Sequence, residues 1–175
     1  MLALMEALAD IKAFIGQGGP VLLWIAALTF LMWSLIFERV WYFKGALQRE
    51  IQSTLDTWEA RKERTSWHAR QIREALISRV AGKVNINLDL VATCVSLCPL
   101  LGLLGTVTGM IEVFHVVAVT GGGDAKSMAS GVSQATIPTM AGMVAAISGV
   151  FGNTLITRTA QRENQLLADH LTMDH

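Results

Sequence analysis

The chain has 175 residues, a length usual for one domain. It is 52% hydrophobic and only 16% charged, against roughly 25% charged in soluble domains, and its formal net charge is zero. That balance argues against a soluble globular fold, and the missing positive excess argues against a nucleic-acid partner.

The charges are unevenly spread. None falls between Lys12 and Glu38, between Asp89 and Glu112, or between Lys126 and Arg158. A bilayer core about 30 Å thick takes roughly 20 mostly apolar residues in a helix, and each gap meets that. The expected fold is all-α: an integral membrane protein with three transmembrane helices, at about 20–37, 90–113 and 130–156, and helical extensions on one side.

Residues 1–19 read as an amphipathic helix at the membrane surface. Leu4, Leu8, Ile11 and Ile15 share a face. Gly16, Gly18, Gly19 and Pro20 end it, with the proline suited to the first turn of the span that follows. Glu6 and Asp10 stand where a cleaved leader would carry a basic region. The first span, 20–37, is built from bulky side chains such as Leu22, Trp24, Phe30 and Trp33, and is expected to face lipid.

Residues 38–89 form the soluble part. Val40, Leu47, Ile51, Leu55 and Trp58 keep a helical stripe, so the first span is expected to run on as helix. RKER (61–64) reads as a solvated turn. Ser66 is suited to cap a second helix with Ile72, Leu76 and Val80 on its apolar face and Gly82 as its stop. Asn87 is a candidate N-cap for the second span. That span, 90–113, holds both cysteines, Cys94 and Cys98, which read as small packing residues rather than a disulfide or a metal site. A short hairpin, 114–129, with Gly121, Gly122, Gly123 and Asp124, makes spans two and three antiparallel neighbours. Residues 157–175 form a tail. Arg39, Lys44, Arg49, Arg73, Arg79, Lys83, Arg158 and Arg162 lie on one side, against Lys12 and Lys126 on the other. The basic side is cytoplasmic by the positive-inside rule, with the N-terminus outside and the C-terminus inside.

The chemistry sits on spans two and three. In lipid, helices associate through close packing and hydrogen bonds, so small residues mark interfaces. Gly105 and Gly109 form a GxxxG step, with Gly102 a turn before; Gly142 and Ala146 repeat the spacing on span three. Thr93, Ser96, Thr106 and Thr108 lie on span two, and Ser133, Gln134, Thr136, Thr139, Ser148 and Asn153 on span three, whereas the first span has only Thr29 and Ser34. These hydroxyls and amides either line a polar path enclosed by a symmetric ring or bond helix to helix. Pro138 frees the carbonyl of Gln134, as a kink or as a further polar feature beside Thr139. A proton relay needs a titratable group near mid-depth, and these spans carry no acid or base there. Glu112 and His115 stand near the outer end, as a funnel or as ordinary headgroup-level residues. Any acid at depth is therefore expected from another polypeptide.

Two stretches, LCPLLGLLGTVTGMIEVF (97–114) and GVSQATIPTMAGMVAAISGVFGN (131–153), resemble the second- and third-span signatures of the ExbB/TolQ/MotA proton-channel family, most closely its short ExbB-like members. The resemblance covers about residue 87 to the C-terminus. It implies a homopentameric ring in the bacterial inner membrane, with the outer side as periplasm. A pair of ExbD-like single-span subunits would pass through it, a membrane aspartate on the partner carrying the proton. It further implies that the output goes to a TonB-like protein and that Thr106 and Thr139 are the pore-facing threonines. Many family members have a glutamate where this chain has Gln134, which cannot carry a proton at neutral pH. No cofactor is implied. In this reading the two hydroxyls offset part of the cost of an ionised aspartate at depth. A structural membrane scaffold and a MotA-like stator are the alternatives. An enzyme is not indicated: GGGDAKS (121–127) lacks phosphate-loop spacing.

Overall fold

A computed structural model of the chain describes residues 19–60, 66–121 and 125–171, the side chains of 120, 125–127, 130 and 134 excepted. The surface helix expected over 1–19, the RKER turn, the hairpin glycines Gly122 and Gly123, and the side chain of Gln134 lie outside that description. The described residues form α1 (Gly19–Lys44), α2 (Ala46–Glu59), α3 (Trp67–Asn85), α4 (Leu88–Thr120) and α5 (Ala125–His170). The described residues are all-helical apart from short turns. Among the described residues, three stretches are long and apolar enough to cross a membrane: Gly19–Glu59, Trp67–Val119 and Gly131–His170. Only 28–33% of the most apolar window in each is buried within the chain, so the remainder must meet lipid or other helices. The 46 residues of α5 extend about 69 Å at 1.5 Å per residue, more than twice the hydrocarbon thickness.

The chain divides into two units, residues 1–32 with 93–150 and residues 33–92 with 151–175. In the first, Val21, Ile25, Cys98, Ala145 and Ala146 form the core, with Leu28 and Leu101 against it. Both cysteines are free and buried, packing as small apolar side chains. The first span does not simply face outward. Val21, Leu22, Ile25 and Met32 are buried while Leu23, Trp24, Phe30 and Leu31 are exposed. Bulk alone does not choose lipid: Met32 fills the space left by Gly149, where an added Cβ would overlap its sulfur.

The second unit is built on Leu47, Trp58, Val80, Val84, Ile156, Leu167 and Leu171. The first span runs on as helix to Lys44, as expected, and resumes at Ala46 after a one-residue interruption at Gly45, with φ −128° and ψ −71°. Ser66 caps α3, its hydroxyl accepting from Ala69 N–H at 3.2 Å. Gly82 does not stop that helix, which continues to Asn85. The helix break falls instead at Asn87, whose φ of +63° is the left-handed region that asparagine tolerates best after glycine. Its carbonyl accepts Val91 N–H at 3.0 Å, so it opens α4 through its backbone.

Two arginines hold this unit together. Arg39 is only 5% exposed, its guanidinium bonded to Glu38 at 2.9 and 3.1 Å and donating to the Lys83 carbonyl at 3.2 Å. A cation beside the final carbonyls of a helix is favourable, and Lys83 lies in the last turn of α3. Arg73 does the same for α5, donating to the Ala168 carbonyl at 2.8 Å and to the Leu171 carbonyl. Lys83 and Tyr42 meet on Glu50.

Candidate functional site

The hydroxyl-bearing segments of α4 and α5 meet in the first unit, and small residues set how closely. The two helices run antiparallel, so positions rising along α4 face positions falling along α5. Gly142 lies against Cys98, where a Cβ would come 2.5 Å from its carbonyl oxygen. Gly102 lies against Pro138 and Thr139, with 3.0 Å to the Pro138 oxygen and the Thr139 Cα. A Cβ at Gly105 would overlap the Pro138 ring, and one at Gly109 would stand 2.7 Å from the Ala135 Cβ. Gly105, Gly109 and Gly142 therefore have room only for hydrogen on the side that faces the other helix, and Gly102 is nearly as tight. Ala146 belongs to the core with Val21 and Ile25.

Close approach brings a hydroxyl of one helix to the backbone of the other. Thr139 Oγ1 donates to the Gly102 carbonyl at 2.9 Å. Thr106, one helical turn after Gly102, donates to Leu103 O at 2.7 Å. Thr108 shares its proton between the carbonyls of Leu104 and Gly105, both at 3.0 Å. Thr136 donates to Ser133 O, and Ser148 to Ala145 O, each at 2.8 Å. Thr106 and Thr139 are half-buried, so each keeps some surface open. Their oxygens retain lone pairs there.

Pro138 lies inside α5 without breaking it, and Pro99 lies likewise inside α4. Each lacks an N–H, which leaves the carbonyl four residues earlier, Gln134 and Val95, without its helical donor. The Pro138 ring is buried against Gly105, so the seam covers one flank of this loosened turn. The missing N–H of Pro99 is as legible in the sequence as that of Pro138, since the same rule applies to both.

Glu112 and His115 are exposed, six and nine residues beyond Thr106 on α4. The structure thus groups Thr139, Gly102, Gly105, Gly109, Pro138 and Gly142 along one seam, leaves Thr106 bonded within its own helix beside Gly105, and exposes Glu112 and His115. Nothing on the seam can carry a proton at neutral pH. What it offers is hydrogen-bond acceptance in an apolar setting, which suits binding a group that brings its own proton.

Comparison with known proteins places this arrangement among relatives. The profile of the MotA/TolQ/ExbB proton channel family matches residues 42–169. The chain is 31% identical over 163 residues to the putative biopolymer transport protein ExbB-like 1 of Synechocystis sp., covering 75% of this chain and 64% of that protein. It is 40% identical over 79 residues to the biopolymer transport protein exbB1 of Vibrio cholerae, covering 45% and 35%. It is 34% identical over 104 residues to the Tol-Pal system protein TolQ of Pseudomonas aeruginosa, covering 59% and 43%. The chain spans less than two thirds of the length of each of these relatives.

Proposed function

The chain belongs to the MotA/TolQ/ExbB proton channel family, and on that premise we propose that it is the ring-forming channel subunit of a proton-driven motor. The ring is a homopentamer in the bacterial inner membrane. Its N-terminus is periplasmic and its C-terminus cytoplasmic, as the lysine and arginine distribution favours. Spans two and three line the central path through Thr106 and Thr139, with Gln134 nearby and Glu112 and His115 at the outer mouth. An ExbD-like single-span subunit passes through the ring and supplies the membrane aspartate. The motor energises a TonB-like protein for outer-membrane transport. The family is one of proton channels, not of enzymes.

One observation carries this reading. The seam gathers half-buried hydroxyls at positions where neither helix has an acid or base, since no charged residue falls on α4 between Asp89 and Glu112 or on α5 between Lys126 and Arg158. A proton path of that composition is incomplete until another chain adds a carboxyl group. The large share of each span left uncovered within one chain supports assembly with further helices.

The relative named for the Tol-Pal system favours a second output, in which the same motor drives a Tol-type partner. Co-expression with a single-span, aspartate-bearing subunit tests both. Native mass measurement should find five copies of this chain with that subunit, and cells carrying the pair should regain energised outer-membrane uptake. Restored envelope integrity without uptake would assign the Tol-type output. Absence of any complex would overturn the motor reading.

A further inference from the structure

In the second unit the end of α1 runs alongside α5, and two contacts fix their register. Gly152 lies against Ile36, where an added Cβ would come 2.7 Å from the Ile36 Cδ1. Further along, Gln48 of α2 donates to the Glu163 carboxylate of α5 at 3.3 Å. Residue numbers rise together across both contacts, so the helices are parallel here. Between the tight contact and the bridge they leave a groove of about 130 Å³, lined by Val40, Phe43 and Lys44 on one side and Leu155, Ile156 and Thr159 on the other. Phe43 and Ile156 are buried and make its floor, whereas Val40, Lys44, Leu155 and Thr159 are exposed around its mouth.

Depth and charge identify the occupant. The charge-free stretch of α1 ends at Glu38 and that of α5 at Arg158, so the groove stands where hydrocarbon gives way to headgroups. Trp41, beside it on α1, is 82% exposed, as amphipathic rings are at that level. The only charged residue in the lining is Lys44. Arg158, three residues after Leu155 and exposed, adds a second cation on that face of α5. The acids closest in sequence to the lining are engaged elsewhere, Glu38 by Arg39 and Glu163 by Gln48. Thr159 gives its proton to Leu155 O at 2.9 Å, so its hydroxyl has none left for a ligand. The groove thus presents apolar walls with a cation at the rim, which matches an acyl chain below an anionic headgroup.

We propose that this groove binds an anionic phospholipid, drawn from the cytoplasmic leaflet in the orientation given above. One acyl chain lies over Phe43 and Ile156, between Val40 and Leu155, and covers apolar wall that water would leave exposed at a cost. The phosphate stands at Lys44, whose stem follows the apolar rim while its ammonium reaches the headgroup. Arg158 adds to the field that favours negative over zwitterionic lipid. The site lies apart from the α4–α5 seam, needs no partner subunit and does not depend on the motor's output.

The test uses the whole chain in nanodiscs holding equal phosphatidylglycerol and phosphatidylcholine, released into mild detergent and weighed by native mass spectrometry. The wild type should retain phosphatidylglycerol in preference to phosphatidylcholine. Lys44→Gln should lower the retained phosphatidylglycerol about fivefold, or about 1 kcal/mol, the contribution of one basic residue at an anionic surface. Lys44→Arg should hold the wild-type level, and so should Arg79→Gln, which removes an exposed charge outside the groove. Phosphatidylglycerol carrying a diazirine on its acyl chain should label residues 40–44 and 155–159 of the wild type on illumination. Excess unlabelled phosphatidylglycerol should compete that labelling away, and phosphatidylcholine should not. Equal retention of the two lipids, or an equal loss in Lys44→Gln and Arg79→Gln, would reduce the effect to general surface charge and overturn the site. Photolabelling absent from the groove, or crosslinks there to a second copy of this chain, would overturn it too. Each of these results leaves the channel reading intact.

Discussion

Thr139 on α5 donates its hydroxyl proton to the carbonyl of Gly102 on α4 at 2.9 Å, across a contact where a Cβ at Gly102 would stand 3.0 Å from the Pro138 oxygen. The same residue thus closes the helix pair and presents lone pairs at its surface. Structure and proposed chemistry are coupled at one hydroxyl, and the two roles are separable by mutation.

Thr139→Val should cost about 1 kcal/mol of stability, the net worth of one hydrogen bond, because valine is nearly isosteric but cannot donate. Thr106→Val should be close to neutral for folding, since its bond is local to α4. Both should weaken energised uptake with the ring still assembled. Thermal denaturation in detergent and native mass measurement, run beside uptake, separate the two effects. Wild-type uptake in both variants would contradict a role for the hydroxyls.

Gly105→Leu should disrupt the α4–α5 pair, because even a single Cβ there overlaps the Pro138 ring. Overpacking a tight contact commonly costs 1–3 kcal/mol, roughly, and leucine exceeds that case. Gly82→Ala, where an added Cβ meets nothing within 4 Å, serves as the control and should leave the oligomer unchanged. Size-exclusion profiles after mild heating give the comparison, and an intact Gly105→Leu ring would show that the seam does not govern assembly.

Arg73→Ala should fray the end of α5. Its guanidinium holds the carbonyls of Ala168 and Leu171, bonds from a charged donor worth about 1.5–3 kcal/mol each at most. Hydrogen exchange over residues 166–171 should rise by at least about fivefold for each kcal/mol lost. Exchange at residues 80–84, toward the far end of α3, should change little.

Part of this organisation is legible in the sequence because it follows from charge alone. Intervals without a charged residue gave the three spans directly, since lipid tolerates few charges. The spacing of Gly102, Gly105 and Gly109 announces a close approach, but not the register that sets Pro138 opposite Gly105. That register depends on how α4 and α5 slide past one another, which no local pattern encodes. For the same reason the acceptor of Thr139 was hidden: a lone threonine sequence admits its own helix or a neighbour equally. Local rules also lost to tertiary context. Gly82 suits the end of a helix that instead runs on to Asn85, and Gly45 interrupts by one residue the helix that the apolar stripe carries through. Bulk alone suggests a lipid-facing first span, yet Val21, Ile25 and Met32 are buried because small residues on α4 and α5 leave room for them.

Proton flux into liposomes under an imposed membrane potential tests the central claim, that this chain frames a proton path whose acid belongs to another subunit. The complex with the single-span subunit should acidify the interior, whereas the ring alone, or the complex with the partner's membrane aspartate changed to asparagine, should not. Flux through the ring alone, or undiminished flux without that aspartate, would contradict it.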